Sequence, residues 1–244
     1  MNNLNANFGY TKVTNIEKTK LVQKVFSDVA PKYDFMNDLM SFGAHRLWKK
    51  EFINLINNLD DDKIIDIGSG SGDLVLELQK KNLNTKIDIV DLNNEMLNEC
   101  KKRVKKGNIK FYLQNAEKLS FKNNSYDKYI ISFCLRNITD IDKSFTEAFR
   151  ILKPGGQYFC LEFSKPNSSI VSNIYSYYKS NLIPLFGKII SNNRNAYNYL
   201  NESIDMFPDQ KRLKKKLEHS GFKSIKFINL FDGIVSIHTG FKYL

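Results

Sequence analysis

Short apolar runs alternate with amphipathic stretches from residue 63 to the end of the chain. Apolar runs of four to eight residues are typical of buried strands, and apolar residues that recur every three or four positions are typical of helices that face a core. Their regular alternation predicts an α/β domain with a mainly parallel sheet. The predicted strands are residues 63–67, 86–90, 109–114, 128–133 and 157–163, and the helices between them are residues 73–81, 94–106 and 141–152.

The sequence KPGG at residues 153–156 marks the end of the last of these helices. Pro cannot continue a helix, and Gly tolerates the positive φ of a C-terminal capping turn. A final helix is predicted over residues 209–220, and a strand pair over 224–230 and 234–241 is joined through Asp232-Gly233. The whole pattern predicts a Rossmann-like, seven-stranded, mainly parallel sheet with helices on both faces.

Two apolar stripes ahead of the first strand predict two packed helices, with the polar, aromatic segment 33–37 between them. We expect these helices to form a lid over the ligand-binding edge of the sheet. The stripes consist of Val22, Val25, Phe26 and Val29, and of Leu47, Trp48, Phe52, Leu55 and Ile56.

An insertion after the fifth strand, residues 168–201, is expected to form a second lid, although packing into the core is the alternative. It is rich in large apolar and aromatic side chains, namely Tyr175, Tyr177, Tyr178, Leu182, Ile183, Leu185, Phe186, Ile189 and Ile190.

A length of 244 residues suits one domain, which we assign to residues 1–244. Within it, residues 1–60 are expected to form a helical cap and residues 61–166 the cofactor-binding core. Residues 167–205 form the substrate-side insertion, and residues 206–244 the C-terminal helix and strand pair.

The formal net charge of +11 suits nucleic acid or an anionic membrane surface as a partner. The densest basic runs, residues 101–106 and 211–216, fall in predicted helices. There Leu213 and Leu217 supply a buried pair, so a solvated helix face explains the charges without a partner. No stretch approaches the roughly 18 apolar residues that span a bilayer, and we expect a soluble or peripheral protein.

The first 16 residues contain one Lys, no Arg and no apolar run. They resemble neither a secretory signal nor an Arg-rich transit peptide, so we expect a cytoplasmic location. Cys100, Cys134 and Cys160 are widely spaced without a CxxC pair, and the chain has three His. We therefore expect free thiols, a reducing compartment and no metal site.

The strongest local signal is an acidic residue, Asp66, followed by the GxGxG pattern of Gly68, Gly70 and Gly72. Because glycine has no Cβ atom, it lets the backbone turn tightly and lets a ligand lie against the backbone. A dinucleotide-binding loop has a third small residue where this chain has Asp73. Because a carboxylate there repels a pyrophosphate, the loop predicts a ligand without phosphates.

S-adenosylmethionine (SAM) fits this site, because its ammonium, sulfonium and ribose hydroxyl groups favour carboxylate and carbonyl neighbours. Asp91 ends the second strand about twenty residues after the loop, where it can accept both ribose hydroxyls. The segment Asn115-Ala116-Glu117 follows the third strand and can meet an adenine edge. Ser132, Arg136 and Asn137 follow the fourth strand. Since ligands bind at the carboxyl ends of parallel strands, these segments are expected to converge on one crevice.

Segments along nearly the whole chain resemble the UbiE-type ubiquinone/menaquinone C-methyltransferases, a family of class I SAM-dependent methyltransferases. The loop reads GSGSG where many members have GGTG, and Ala44 and Cys134 also depart from the commoner pattern, which puts no assigned role in doubt. The segments are VFSDVAPKYDFMNDLMSFGAHRLWKKEF at 25–52, GSGSGD at 68–73, NAEKLSF at 115–121, SFCLRNITD at 132–140, RILKPGG at 150–156, LEFSKP at 161–166, NESIDMFPDQ at 201–210 and GIVSIHTGFKY at 233–243.

The resemblance implies that SAM contacts Ser71, Asp91, Asn115, Ala116 and Ser132. It also implies methylation of a ring carbon of a polyprenylated hydroquinone. The substrate is a 2-polyprenyl-6-methoxy-1,4-benzoquinol on the ubiquinone route or a demethylmenaquinol on the menaquinone route, and both remain open.

The positions of Arg136, Asn137 and Tyr33 in the family motifs imply the catalytic roles. Arg stays protonated above pH 12 and is a poor base, so Arg136 is expected to stabilise a developing oxyanion or to polarise a water held with the other two. The final proton acceptor stays open. Alternatively, Arg136 forms a structural ion pair with Asp140 or Asp142, and Tyr33 is a packed lid residue. We interpret His45 and Glu162 as hydrogen-bonded structural groups.

The apolar tail of such a substrate needs a groove, and the insertion after the fifth strand is its expected wall. A peripheral contact with the inner membrane is expected, on the cytoplasmic face or, for a mitochondrial protein, on the matrix face. A homodimer or a quinone-biosynthesis complex is a further expectation. The competing hypotheses are a nucleic-acid or other small-molecule methyltransferase and a non-catalytic scaffold. We favour no nucleic-acid partner, because an Asn/Asp-Pro-Pro-aromatic signature is absent after the fourth strand.

Overall fold

A seven-stranded sheet forms the centre of the computed structural model, which describes residues 5–105, 107–182 and 194–243. The strands follow the order β5-β4-β3-β6-β7-β9-β8, with β9 antiparallel to both β7 and β8 and the other pairs parallel. The predicted mainly parallel sheet is therefore confirmed. Its strands are β3 (Lys63–Ile67), β4 (Lys86–Asp91), β5 (Ile109–Leu113), β6 (Tyr126–Ser132), β7 (Leu152–Phe163), β8 (Lys223–Leu230) and β9 (Val235–Phe241).

Helices cover both faces of this sheet. The N-terminal helices are α1 (Asn15–Val29), α2 (Tyr33–Ser41) and α3 (Ala44–Asn54). The later helices are α4 (Asp73–Lys81), α5 (Asn94–Arg103), α6 (Ile141–Ile151), α7 (Ser169–Tyr177), α8 (Arg194–Met206) and α9 (Gln210–His219). Short 3-10 turns at Ala30–Lys32, Leu135–Asn137 and Phe231–Gly233 and a π-helical turn at Tyr178–Leu182 complete the described elements.

The two faces of the sheet bury separate halves of the core, because successive strand residues point to opposite sides. One face packs against α3 and α4, and the other packs against α6 and α9. The first face carries Ile64, Ile130 and Phe159, and the second carries Ile65, Tyr129 and Tyr158. In α9, Leu213 and Leu217 are buried, as predicted. None of the lysines in the basic run 211–216 is buried, so these side chains lie toward solvent.

The N-terminal region differs from the two helices predicted there. It contains three helices and, ahead of them, an antiparallel hairpin of β1 (Ala6–Phe8) and β2 (Thr11–Val13). Segment 33–37 is not a connection but the start of α2. Its helix ends because Phe42 and Gly43 adopt φ of 48° and 74°, a left-handed conformation that no helix can continue through.

The helix ends directly ahead of KPGG at residues 153–156, as predicted, but KPGG does not form its capping turn. Helix α6 ends at Ile151, its capping residue Leu152 is already extended, and KPGG lies inside β7. Gly155 has a φ of 79°, yet it bonds to the carbonyl of Lys242 rather than capping a helix. The strand therefore begins five residues before the predicted start at 157. Residues 183–193 of the predicted second lid, with Ile183, Leu185, Phe186, Ile189 and Ile190, lie outside the described residues.

The order of the strands positions the site. β3 is paired on one side with β4 and on the other with β6. The chain runs outward from β3 through β4 to β5 and then returns to the other side of β3 to form β6. The carboxyl ends of these three strands open a crevice at this point, where ligands of open α/β sheets bind.

Every helix among the described residues is too short or too polar to cross a bilayer.

Candidate active site

Two adjoining cavities open at the carboxyl ends of β3, β4 and β6. The smaller, of about 100 Å³, runs along Asp91, Asn115 and Ala116. The larger, of about 710 Å³, extends under α2, α3 and α7 and is lined mainly by apolar side chains. Tyr33 and Phe133 border both cavities, together with the glycine loop. Ligands in the two cavities would therefore meet beside Tyr33.

The glycine loop after β3 requires glycine at each predicted position. Gly68, Gly70 and Gly72 have φ of 64°, 56° and 88°, a region that residues with a Cβ atom rarely adopt. A Cβ atom on Gly68 would also lie 2.1 Å from Sγ of Cys134. The loop is therefore shaped so that its backbone, rather than side chains, faces the ligand.

Asp66 presents a carboxylate to the loop from the end of β3, with 1% of its surface exposed. One of its oxygens accepts a hydrogen bond from Ser69, while Oδ1 is buried without a protein donor among the described residues. Burial raises the pKa of Asp66 to about 7, against the hydrogen bond from Ser69. A buried acidic oxygen without a donor suits a cationic ligand, because such a ligand supplies the missing partner.

Asp91 holds the glycine loop to the end of β4. Its Oδ2 accepts from the backbone nitrogen of Gly70 at 2.9 Å, and its Oδ1 accepts from that of Asn93 at 2.8 Å. Burial raises the pKa of Asp91, although these hydrogen bonds oppose the shift. The carboxylate borders the small cavity with lone pairs to spare, since each oxygen can accept two bonds.

One wall of the small cavity is formed by the segment that follows β5. Oδ1 of Asn115 accepts from the backbone nitrogen of Glu117 at 2.9 Å, so a tight turn fixes this segment. Ala116 is 8% exposed and contributes its small side chain to the cavity wall. The structure thus brings the predicted residues from three strand ends to one cavity.

An ion-pair network closes the other end of the loop. Ser71 donates to Oδ1 of Asp34 at 2.6 Å, which joins α2 to the glycine loop. Arg103 of α5 pairs with Oδ2 of Asp34 at 2.6 Å and with Asp73 at 2.9 Å. Lys49 of α3 pairs with the second oxygen of Asp73 at 2.5 Å. Burial opposes ionisation of Asp73, but its two cations outweigh it and lower its pKa.

Arg136 forms a buried ion pair, but with Glu162 and not with Asp140 or Asp142 as the alternative supposed. Its Nη1 lies 2.8 Å from Oε1 of Glu162, and the side chains are 6% and 0% exposed. Asp140 instead caps α6, and Asp142 pairs with Lys216. Burial opposes the charge of Arg136, yet the carboxylate of Glu162 outweighs it and raises the pKa. The guanidinium therefore stays charged, and its Nε is buried without a protein acceptor among the described residues.

Tyr33 lies at the first position of α2, where the lid meets the loop. Burial raises its pKa to about 12, against the opposing charge of Arg136. Its hydroxyl group therefore keeps its proton at neutral pH. Asn137 is 8% exposed and its amide donates to the carbonyl of Phe133 at 3.4 Å. A third space of about 50 Å³ borders Tyr33, Arg136 and Asn137 together.

Ser132 ends β6 beside the large cavity. Its Oγ is buried without a protein partner among the described residues, as expected for a group that faces a ligand.

His45, interpreted as structural, bonds through Nε2 to Asp38 at 2.8 Å, and burial lowers its pKa. Glu162, also interpreted as a hydrogen-bonded structural group, accepts a hydrogen bond from Arg136.

The described part of the predicted insertion does line the large cavity. Tyr175 and Tyr178 border it, whereas Tyr177 points away and is 66% exposed. The opposite wall comes from α3 and the C-terminal turn, through Trp48 and Phe231, whose rings meet edge to face 5.5 Å apart.

Sequence reasoning missed several residues of this site. It did not assign Asp34, Lys49, Arg103 or Tyr199, and it left Glu162 as a structural group. A carboxylate inside the apolar strand segment 158–163 was a usable signal for Glu162, because an isolated buried acid requires a partner. The others carry no local signal, since each reaches the site from a different helix.

The chain matches a family model described as the ubiE/COQ5 methyltransferase family over residues 13–242. A curated protein of Rickettsia bellii (strain OSU 85-389), named ubiquinone/menaquinone biosynthesis C-methyltransferase UbiE, is 48% identical over 245 residues. The alignment covers 97% of this chain and 98% of that protein.

Solved structures share the fold at low identity. A SAM-dependent methyltransferase of Thermotoga maritima, described as a possible histamine N-methyltransferase, has a TM-score of 0.64 and 18% identity, covering 90% of this chain and 99% of that chain. Phosphoethanolamine N-methyltransferase 2 of Haemonchus contortus, solved in complex with S-adenosyl-L-methionine, has a TM-score of 0.62 and 15% identity, covering 90% of this chain and 60% of that one. Likeness at these identities concerns the fold alone.

Proposed function

Because this chain belongs to the ubiE/COQ5 methyltransferase family, we propose that it transfers a methyl group from SAM to a ring carbon of a polyprenylated hydroquinone. The reaction belongs to ubiquinone or menaquinone biosynthesis, as the names of its relatives state for them. The observation that carries the proposal is the junction at Tyr33 of the small cavity, which Asp91 and Asn115 border, and the large apolar cavity. The substrate is a 6-methoxy benzoquinol or a demethylmenaquinol.

The residues where the two cavities adjoin fit SAM. The unpartnered carboxylate oxygen of Asp66 suits the ammonium or sulfonium charge, and Asp91 suits the ribose hydroxyls. Asn115 and Ala116 would hold the adenine, and the loop at Ser71 would hold the amino-acid end. Gly68, Gly70, Gly72 and Ser132 complete the set that we assign to the cofactor. SAM supplies an electrophilic methyl group on its sulfonium.

The three proposed catalytic residues act on the substrate oxygen. The ring carbon becomes a better nucleophile as the neighbouring hydroxyl group loses its proton, so a group that stabilises the oxyanion accelerates attack. Arg136 carries a permanent charge for this purpose, and Tyr33 and the amide of Asn137 supply neutral donors. Positioning of the carbon in line with the methyl group supplies a further part of the acceleration.

None of these three groups accepts the proton, because Arg136 and Tyr33 both have raised pKa values and an amide is not a base. The space of about 50 Å³ that they border has room for a water. A water held there would relay the proton of the ring carbon toward solvent. The whole chain acts as one domain, with residues 61–166 holding SAM and residues 1–60 and 167–205 enclosing the quinol.

The apolar mouth of the large cavity supports peripheral contact with an inner membrane, on its cytoplasmic or matrix face. We define the apolar rim as Phe42, Leu47, Ile170, Ile174 and Phe231, which are 56% to 71% exposed. All except Ile170 also line the cavity. Ile170 and Ile174 lie one turn apart on α7, so they share a face. A prenyl tail could pass from lipid to the cavity across this rim without crossing water.

The direct test of the activity uses labelled SAM with short-tail benzoquinol and naphthoquinol analogues. Methylation of a ring carbon of either analogue, identified by mass spectrometry, is the expected result, and the preferred ring identifies the route. Arg136→Ala should reduce turnover far more than SAM affinity measured by calorimetry. Lys143→Ala removes an exposed cation nearby and should change neither. Equal losses of turnover and affinity in Arg136→Ala would contradict its catalytic role.

The membrane contact is tested with vesicles that contain anionic lipid. Ile174→Glu places a charge in the apolar rim and should reduce co-sedimentation and turnover of long-tail substrates, while turnover of short-tail analogues is preserved. Leu83→Glu changes an apolar residue that is 46% exposed and lines neither cavity. Equal effects of the two variants on sedimentation would reject the rim as the contact surface.

A further inference from the structure

Tyr199 contacts the loop that carries two of the proposed catalytic residues. It lies in α8 with 5% of its surface exposed, and its hydroxyl group donates to Oδ1 of Asn137 at 3.0 Å. Its ring stacks on Phe8 of the N-terminal hairpin, with centroids 4.3 Å apart and planes 11° apart. The stacking fixes the ring, and therefore the direction of the hydroxyl group, independently of the hydrogen bond.

The hydrogen bonds of Asn137 determine which way its amide points. Its nitrogen donates to the carbonyl of Phe133 at 3.4 Å. A carbonyl oxygen only accepts, so the NH2 end faces Phe133 and the oxygen end faces Tyr199. A bond of 3.4 Å is long and weak. The carbonyl of Phe133 therefore selects this orientation over the flipped one, and the stronger bond from the hydroxyl group of Tyr199 holds the oxygen end in place.

The orientation of this amide matters because of its neighbours. Arg136 donates to the same carbonyl of Phe133 at 2.6 Å, and it borders the same small space as Tyr33 and Tyr199. All four polar side chains border the space of about 50 Å³. Burial raises the pKa of Tyr199, so its hydroxyl group stays a donor at neutral pH. A flipped Asn137 would place an acceptor where the site uses a donor.

We propose that Tyr199 is a positioning residue for methyl transfer, which holds the amide of Asn137 with its NH2 end available to the substrate oxygen or to the water beside it. The proposal rests on the function proposed above, because Tyr199 acts through Asn137. It extends the site to α8 and, through Phe8, to the N-terminal hairpin.

Tyr199→Phe removes the hydroxyl group and keeps the ring that stacks on Phe8. We expect kcat to fall about tenfold, the size of effect of one lost hydrogen bond, while the Kd of SAM and the Tm stay close to those of the wild type. In the background of Asn137→Ala, the same change should lower kcat less than twofold, because residues that act as a unit are not additive. A purely structural role would lower Tm and would act equally in both backgrounds.

Tyr10→Phe is the matched control. It also removes a hydroxyl bond between the hairpin and α8, to Asp205 at 2.9 Å, but Tyr10 is 61% exposed and lies outside the site. It should leave kcat unchanged. A tenfold loss in this variant would attribute the effect to docking of the hairpin and would overturn the proposal.

A second measurement does not depend on quinol turnover. The side-chain NH2 signals of Asn137 in a 15N-labelled protein are assigned by their loss in Asn137→Ala. They should shift or broaden in Tyr199→Phe and stay in place in Tyr10→Phe. Unchanged signals in Tyr199→Phe would overturn the proposal even if the enzyme is active. A wild-type protein that methylates no quinol would reject the proposed function, and the NH2 signals would still decide whether Tyr199 orients Asn137.

Discussion

Replacing Glu162 with Gln tests whether the buried ion pair with Arg136 governs stability as well as chemistry. The carboxylate accepts three hydrogen bonds, from Nη1 of Arg136 at 2.8 Å, from its backbone nitrogen at 3.2 Å and from that of Phe163 at 2.9 Å. These donors use both oxygens. Gln has the same shape, but its NH2 group would face a donor in either orientation, and the guanidinium would lose its counter-charge.

The expected cost follows from the burial of both partners. The side chains are 6% and 0% exposed, so water cannot replace the lost carboxylate. Removing one partner of a buried pair costs about 3–5 kcal/mol. For a chain of this length, that corresponds to a fall in Tm of about 6–20 °C. A surface pair provides the comparison, because Asp142→Asn breaks an ion pair whose side chains are 38% and 64% exposed and should cost less than about 1 kcal/mol.

The assay is urea unfolding followed by circular dichroism, with Tm measured in parallel. The double variant Glu162→Gln/Arg136→Met removes the buried cation as well and should recover at least half of the lost stability, although it is inactive. If Glu162→Gln costs no more than Asp142→Asn, the pair is not desolvated as the structure indicates. If the double variant is less stable than Glu162→Gln alone, the lost stability does not come from an uncompensated charge.

Three further predictions concern the cofactor side of the site. Burial raises the pKa of Asp66 to about 7, and a cation beside it favours ionisation. SAM binding should therefore release a proton below this pKa, and SAM affinity should rise about tenfold from pH 6 to pH 8 and level off above about pH 8. Calorimetry at the two pH values checks this, and an equally strong pH dependence in Asp66→Asn would rule out Asp66 as its source. Arg103→Met should weaken SAM binding about two- to fivefold, a modest effect because the side chain is 32% exposed. Lys102→Met should not, because Lys102 pairs only with Glu99 on the surface among the described residues, and a matching loss there would show a general effect of charge. Gly155→Ala should cost about 1 kcal/mol from its positive φ alone, since a Cβ there meets open space. Gly68→Ala should cost more and abolish SAM binding, because its Cβ also meets Cys134. If the two glycine variants are equally stable and Gly68→Ala still binds SAM, the loop adapts to the added Cβ atom.

Much of the fold was accessible from local sequence. Apolar runs and helical periodicity located each strand of the sheet, and the family predicted from sequence segments is confirmed by the match over residues 13–242. The errors have local causes. The stripe of Tyr33, Met36 and Met40 fits a helix, but the polar residues around it favoured a connection. KPGG resembles a capping turn, and the hydrogen bond from Gly155 to the carbonyl of Lys242, just after β9, cannot be seen in the segment itself.

The sequence by itself determined which segments form strands, where glycines permit left-handed turns, and which acids and amides stand at strand ends. These are local properties, and the parallel sheet then carries strand ends to one edge. Only the tertiary structure decided the partners within the site. Arg136 pairs with Glu162 from a neighbouring strand, and Tyr199 joins Asn137 to Phe8 near the other end of the chain. Such contacts depend on which elements become neighbours, and no local pattern of residues records that.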